Sequence, residues 1–180
     1  GVQTGALPIW DVQQQQQSNA EQLHIYKQRW LEGGGSGMFN GNNSNPTLTN
    51  CMFTNNVNSY ILVIGGGMGN SNSSPTLNNC TFTNNSATGG GGGMGNSNSS
   101  PTLNNCTFTS NTAEYGIGGG DSGGGMYNIG SNPTLTNCTF TNTTASSYGG
   151  GMYNWDRSPT PTGRTLSATL PPSAVEAPTT

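Results

Sequence analysis

The sequence predicts an all-β fold, a parallel β-helix (solenoid) of about four to five coils with three short strands in each coil. The first observation is a repeat, which is clearest at residues 91–111, GGGMGNSNSSPTLNNCTFTSN. Related copies occupy residues 35–56, 65–85 and 123–142, and a fifth begins at residue 149 and breaks off. Self-similarity at a fixed period is the signature of a solenoid, in which each repeat stacks on the next.

The second observation is where the copies differ in length. Their methionines lie 30, 26, 32 and 26 residues apart, and the prolines and cysteines keep the same phase. Most of the variation falls between the Phe-x-x-Asn element and the next glycine run, where residues 57–64 and 112–122 are long and residues 86–90 are short. Insertions confined to one corner are what a stacked coil tolerates.

The third observation is the pattern inside a copy, which contains three extended segments. These are Gly-Gly-Gly-Met-x-Asn, Pro-Thr-Leu-x-Asn and Cys-Thr-Phe-Thr. In the last segment Cys106 and Phe108 should point to one side of the strand, and Thr107 and Thr109 to the other. Asn, Ser and Gly between the segments supply turns and tolerate left-handed backbone. No segment of the repeats has a helical apolar period, and glycine disfavours a helix.

The inward side chains of one copy are too few to stabilise it alone. Burying its Met, Leu, Cys and Phe contributes about 1.5–3 kcal/mol each, whereas ordering the backbone costs about 1–2 kcal/mol per residue. Stacking must therefore turn each inward position into a continuous row, with asparagine ladders at the corners. The predicted rows are Met38, Met68, Met94, Met126 and Met152; Leu48, Leu77, Leu103 and Leu135; Cys51, Cys80, Cys106 and Cys138; and Phe53, Phe82, Phe108 and Phe140.

Gly-Gly-Gly-Met combined with Phe-x-x-Asn resembles the repeats of bacterial polymorphic outer membrane proteins. It is also similar to the wider set of right-handed parallel β-helix proteins of the pectin-lyase-like superfamily. The resemblance covers residues 33–160, and the fourth copy departs from it because Phe140 is followed by Thr143 where Asn is expected. It implies a secreted or surface-displayed protein, such as a passenger region, an adhesin or a carbohydrate-active enzyme.

Residues 1–32 form a leader that differs from the repeats, and residues 161–180 form a tail rich in Pro, Thr and Ala. Reading the implied codons of residues 10–31 one base forward permits GMYNSNSSPTLNNCTFTNN, a whole repeat. We therefore interpret the leader as a frameshifted repeat, with a short amphipathic or disordered leader as the alternative. The tail permits a looser match, GNTASxGGGGAYN, with a flexible linker as the alternative. Both termini should then pack poorly, and His24 should carry no function.

Composition limits the partners and the location of the protein. The net charge is −3 with 6% charged residues and no basic stripe, so nucleic acid is not an expected partner. No apolar run reaches membrane-spanning length. The N-terminus lacks a basic region followed by an apolar run, and we expect the chain to be a fragment of an extracellular or outer-membrane protein.

The chemistry-bearing residues predict neither a catalytic site nor a cofactor. The four cysteines lack a Cys-x-x-Cys pair and a histidine among the repeats, so a buried apolar row is favoured over disulfides or a metal site. Between residues 33 and 154 the only charged side chains are Glu114 and Asp121, which are too few for acid–base or lyase catalysis. Gly118 to Asp121 matches part of a calcium-binding nonapeptide, but a loop with a solvated Asp is favoured.

Outward rows of Thr and Asn would suit ordered water, a sugar or an ice surface, but we do not favour this interpretation because the pattern predicts no strict Thr-x-Thr face. Two hypotheses remain for the function. The first is a structural or interaction segment of a secreted or cell-surface bacterial protein, and the second is a non-catalytic part of a carbohydrate-active enzyme. The expected ligand-contact loop contains Glu114, Tyr115 and Asp121, and its partner would be a polysaccharide or a cell-surface protein.

Overall fold

Four parallel sheets run along the molecule and together form a β-solenoid of about four turns. The structure is a computed structural model, described for residues 20–21, 24–26, 29–30, 37–41, 43–61, 64–114, 123–155 and 160–162. No helix occurs in these ranges, and every pair of neighbouring strands is parallel. The predicted all-β parallel solenoid is confirmed. We call residues 37–58, 65–87, 91–113 and 123–145 the first to fourth turns.

Two of the sheets contain the leucine and phenylalanine rows and are named after them. The leucine sheet consists of Ala20–Glu21, Thr47–Thr49, Thr76–Asn78, Thr102–Asn104, Thr134–Thr136 and Thr160–Thr162. The phenylalanine sheet consists of His24–Tyr26, Met52–Thr54, Thr81–Thr83, Thr107–Thr109 and Thr139–Thr141. In both sheets the central residue of the strand is buried in all four turns, because side chains alternate between the two faces of a strand.

The other two sheets complete each turn. The short sheet consists of Arg29–Trp30, Val57–Asn58, Ser86–Ala87, Thr112–Ala113 and Thr144–Ala145. The methionine sheet consists of Met38–Asn40, Met68–Ser71, Met94–Ser97, Met126–Ile129 and Met152–Trp155. Equivalent residues of successive turns pair in strict register, such as Met68 with Met94 and Met94 with Met126.

The prediction of three strands per coil was wrong, because each turn has a fourth strand in the short sheet. That strand is two residues long, so the sequence offers no alternation by which to recognise it. It occupies the first two residues of each segment that the sequence predicts as the variable corner. Its second residue is buried in every turn, as Ala87, Ala113 and Ala145 illustrate. The variable segments therefore begin after it, at residues 59, 88, 114 and 146.

The inward rows form one continuous apolar core. Sixteen of the row residues are buried, with at most 4% of the side chain exposed, and Met152 packs against them partly buried. The rings of Phe53, Phe82, Phe108 and Phe140 stack with centroids 4.6 Å apart and planes inclined by only 3–6°. The centroid distance is no longer than the spacing of neighbouring strands, about 4.7–4.9 Å. Successive rings therefore lie directly over one another, and the phenylalanine sheet has little twist from one turn to the next.

Left-handed backbone occurs at the four corners of a turn, as the second turn shows. Gly65 (φ 91), Asn72 (φ 51), Asn79 (φ 53) and Asn84 (φ 53) each precede or follow a strand there. Glycine is required at the first of these corners, because a Cβ on Gly65 would lie 2.0 Å from the carbonyl oxygen of Met68. The Asn and Gly residues between the extended segments thus have the turn role that the sequence predicts.

The backbone of the leader continues the stack where it is described. Ala20 pairs with Leu48, and Ile25 pairs with Phe53. In the shifted reading frame, the codon that begins within Ala20 permits Leu, and the codon that begins within Ile25 permits Phe. The frameshift interpretation concerns the coding DNA and stays a prediction. The expected poor packing of the termini falls on side chains outside the described residues.

Candidate functional site

Two asparagine columns fix each turn on the next. In the methionine sheet, each Asn side-chain amide donates to the Oδ1 of the Asn in the following turn at 2.8 Å. This column contains Asn40, Asn70, Asn96, Asn128 and Asn154. Because the pattern repeats without a gap, every buried amide in the column has a partner, and a slip of one turn against another would break several bonds at once.

The second column lies at the corner after the phenylalanine sheet and is more densely bonded. The Oδ1 of Asn85 accepts hydrogen bonds from both the backbone N–H (3.0 Å) and the side-chain amide (2.9 Å) of Asn56. The Asn85 amide in turn donates to the Oδ1 of Asn111 (3.0 Å) and to the carbonyl oxygen of Phe53 (2.9 Å). We call Asn56, Asn85 and Asn111 the corner column.

The corner column ends at Thr143, the residue at which the fourth copy departs from the repeat. Thr143 is fully buried, and its Oγ1 has no hydrogen-bond partner. A threonine has no amide with which to continue the column. This buried, unbonded hydroxyl is a local weakness, because an unsatisfied buried polar group is destabilising.

The longest corner segment, residues 114–122, is held by the stack on both sides. The backbone N–H of Glu114 donates to the carbonyl oxygen of Ala87 at 2.8 Å. After the segment, the N–H of Gly123 donates to the carbonyl oxygen of Tyr148 at 3.0 Å. Glu114 itself is exposed and accepts a 3.4 Å hydrogen bond from the hydroxyl of Ser86.

Of the three residues predicted for the ligand-contact loop, Glu114 therefore lies at the base of this segment, directed to solvent. Tyr115 and Asp121 lie outside the described residues, so that part of the prediction stays a prediction. Glu114 is the only charged residue among those whose side chains the structure describes. Among the described residues, a ligand at this corner would therefore meet one carboxylate, that of Glu114.

The cysteine row lies inside the solenoid. All four cysteines are buried, and no disulfide joins them. The thiol of Cys106 donates to the carbonyl oxygen of Leu77 in the preceding turn at 3.7 Å, and Cys80 and Cys138 make the equivalent contact at 3.6 Å. Hydrogen bonding with the thiols of Cys138 and Cys80, together with burial, raises the pKa of the Cys106 thiol. Because the thiolate is the nucleophile and metal ligand, the raised pKa disfavours reaction at Cys106. The same thiol–thiol hydrogen bonds lower the pKa of Cys80 and Cys138.

The outward side of the phenylalanine sheet corrects one expectation. Both outward positions of three successive strands are threonines, and these threonines pair in register: Thr81 and Thr83, Thr107 and Thr109, and Thr139 and Thr141. A strict Thr-x-Thr face is therefore present. We call these six residues the threonine face. Its signal was available in the sequence, since Thr-Phe-Thr occurs three times at the phase of an alternating strand.

A cluster of tyrosines lies at the end of the methionine sheet that follows the fourth turn. The rings of Tyr127 and Tyr153 are 5.8 Å apart with an interplanar angle of 7°, and Tyr148 and Tyr153 are also 5.8 Å apart. Tyr148 is 41% exposed, and the nearby strand ends in Trp155, which is 46% exposed. The equivalent position is Gly in the second and third turns and Phe39 in the first turn, so the tyrosine pair is separated from Phe39 by two glycines along the stack.

No family model matches the chain, and no curated protein or solved structure matches it. No three His, Cys, Asp or Glu side chains come together as a metal site in the described part of the chain. None of its described segments is a helix long and apolar enough to cross a bilayer.

Proposed function

We propose that the chain is a structural and interaction segment of a secreted or cell-surface bacterial β-solenoid protein, of the adhesin or passenger type. This proposal depends on one observation. The apolar rows continue through all four turns, and the corner segment 114–122 is attached to the stack by backbone hydrogen bonds of Glu114 and Gly123. A solenoid in which each turn contacts only its neighbours is a rigid rod. Loops on a rigid scaffold commonly carry recognition.

Membership of the pectin-lyase-like superfamily, with repeats of the polymorphic outer membrane protein type, is part of this proposal. It is supported by the placement of the motif residues in the fold. The glycines before each Met occupy a tightly packed corner, and the Asn of Phe-x-x-Asn forms the corner column. Both positions have a structural reason to recur, and the extracellular location follows from the resemblance.

The proposal assigns partner binding to residues 114–122. The equivalent connection in the second turn, residues 88–90, is only three residues long. The strands before and after it pair in register with the strands before and after residues 114–122. Replacing residues 114–122 with the residues found at 88–90 should therefore leave the stack intact. The same replacement at residues 59–64 provides a matched control at another turn of the same corner.

The measurement is binding of the labelled protein to bacterial and animal cell surfaces and to immobilised polysaccharides. We expect wild type and the 59–64 variant to bind equally, and the 114–122 variant to lose about ten-fold or more in affinity with an unchanged melting temperature. Unchanged binding by the 114–122 variant, or no binding by the wild type to any of these surfaces, would contradict the proposal.

A further inference from the structure

We propose that the threonine face binds the surface of ice. The proposal goes beyond the scaffold role and does not depend on it. It rests on the geometry, the free hydrogen-bonding groups and the absence of charge at Thr81, Thr83, Thr107, Thr109, Thr139 and Thr141.

The threonine face has a regular spacing in two directions. Along the stack the buried Phe rings between the Thr pairs repeat every 4.6 Å. The outward threonines pair in the same register, at the strand spacing of about 4.7–4.9 Å. Along a strand, the two threonines of one pair are two residues apart, or about 6.6 Å. The six hydroxyls thus form a small two-dimensional lattice.

The lattice is also unusually flat. Sheets normally twist by about 20–25° between neighbouring strands, which would displace successive side chains sideways. The rings beneath this face instead lie directly over one another, with centroids 4.6 Å apart. Flat sheets are typically stabilised by side-chain ladders, and here the phenylalanine stack and the corner column supply them. A flat face can contact a flat solid over its whole area.

The hydroxyls of the threonine face are available to a partner. None of the six forms a side-chain hydrogen bond with another residue that the structure describes. Thr139 is exposed and the other five are half-buried. Each hydroxyl can both donate to and accept from water, so neighbouring hydroxyls would hold waters at the spacing of the lattice.

Ice fits this face better than the other candidates do. A charged polymer would need complementary charge, and the threonine face contains none. Soluble small ligands occupy concave sites, whereas this face is flat. Sugar rings pack on exposed aromatic rings, and the only rings of these strands are the buried phenylalanines. An ice surface is uncharged, flat, and built from water molecules whose O–H groups donate and whose oxygens accept, which matches the donor and acceptor capacity of the threonine hydroxyls.

The test is incorporation of the labelled protein into slowly growing ice, together with inhibition of ice recrystallisation. Thr107→Lys places a charge at the centre of the face, and Thr139→Lys does so at an exposed position that the fold tolerates more readily. Thr144→Lys makes the same change on the short sheet of the fourth turn. Met52→Thr extends the face to the first turn, because Met52 pairs with Thr81.

We expect wild type and Thr144→Lys to enter ice equally, and both face variants to need about ten-fold more protein for the same inhibition. Met52→Thr should be at least as active as wild type. Circular dichroism and melting temperature establish that the variants are folded.

The proposal is overturned if the wild type is excluded from ice like serum albumin, or if Thr144→Lys loses activity as far as Thr107→Lys does. It is also overturned if Thr107→Lys and Thr139→Lys retain full activity. A wild-type dimer that Thr107→Lys converts to a monomer in sedimentation, without any effect on ice, would identify a second copy of the chain as the occupant instead.

Discussion

The corner after the phenylalanine sheet is built in two ways in the same molecule. In the second turn, Asn85 bonds to residues of the turns on both sides of it through its Oδ1 and its amide. In the fourth turn, Thr143 has the same burial and an unbonded hydroxyl. The backbone course is the same in both turns, and the strands before and after the corner pair in register.

The difference shows that the polar column and the apolar rows have separate roles. The rows alone maintain the turn at Thr143, because the buried Phe140 and Ala145 on either side remain in their rows. The corner column adds hydrogen bonds that lock one turn against the next. We therefore expect the corner to tune stability without deciding the fold, and three substitutions test this.

The largest effect is expected when the fourth-turn corner is copied into the second turn. Asn85→Thr removes the acceptor for two donors of Asn56 and the amide that bonds Asn111 and Phe53. We expect the free energy of unfolding to fall by about 3 kcal/mol, because buried groups on three neighbouring residues lose partners. Urea titration followed by circular dichroism measures it.

The matched control for that substitution is Asn78→Thr, the same chemical change on the outward side of the leucine sheet. Its side chain is only half-buried, and the first and fourth turns already have Thr there. Its effect should stay within about 0.5 kcal/mol. Equal losses for the two variants would show that the corner column has no special role.

A smaller effect of opposite sign is expected when the fourth turn is given the second-turn corner. Thr143→Asn supplies the missing Oδ1 and should raise the free energy of unfolding by about 1–2 kcal/mol. Thr143→Val, which removes the hydroxyl while keeping the shape, separates the cost of the unbonded hydroxyl from the gain of the new bonds. If Thr143→Asn melts at or below the wild-type temperature, the column does not extend to the fourth turn.

The smallest effect is expected at Ser110, which precedes the corner column in the third turn. Ser110 has left-handed backbone (φ 53), whereas the equivalent residues Asn55, Asn84 and Asn142 are asparagines. Since Asn tolerates this conformation better than Ser, Ser110→Asn should add about 0.5 kcal/mol. Differential scanning calorimetry of the two proteins would detect the gain, and a lower melting temperature would contradict it.

Part of the candidate sites could be read from the sequence, and part could not. The threonine face was readable, because Thr107 and Thr109 flank an inward Phe108 and the copies keep phase. The expectation that the rows lack a strict Thr-x-Thr face was wrong for the three strands of this face, and only Met52 in the first turn departs from the pattern. The lack of a hydrogen-bond partner for the Thr143 hydroxyl could not be predicted from the sequence, because a sequence does not show which groups surround a buried side chain.

The sequence by itself determined the repeat, the inward rows and the left-handed corners. Those features depend on local rules: alternation along a strand, and the tolerance of Asn and Gly for left-handed backbone. Only the tertiary structure decided the fourth strand of each turn, the flatness of the threonine face and the bonding of the corner column. Each of these depends on a neighbour 26–32 residues away in the chain, and such contacts exist only once the turns have stacked.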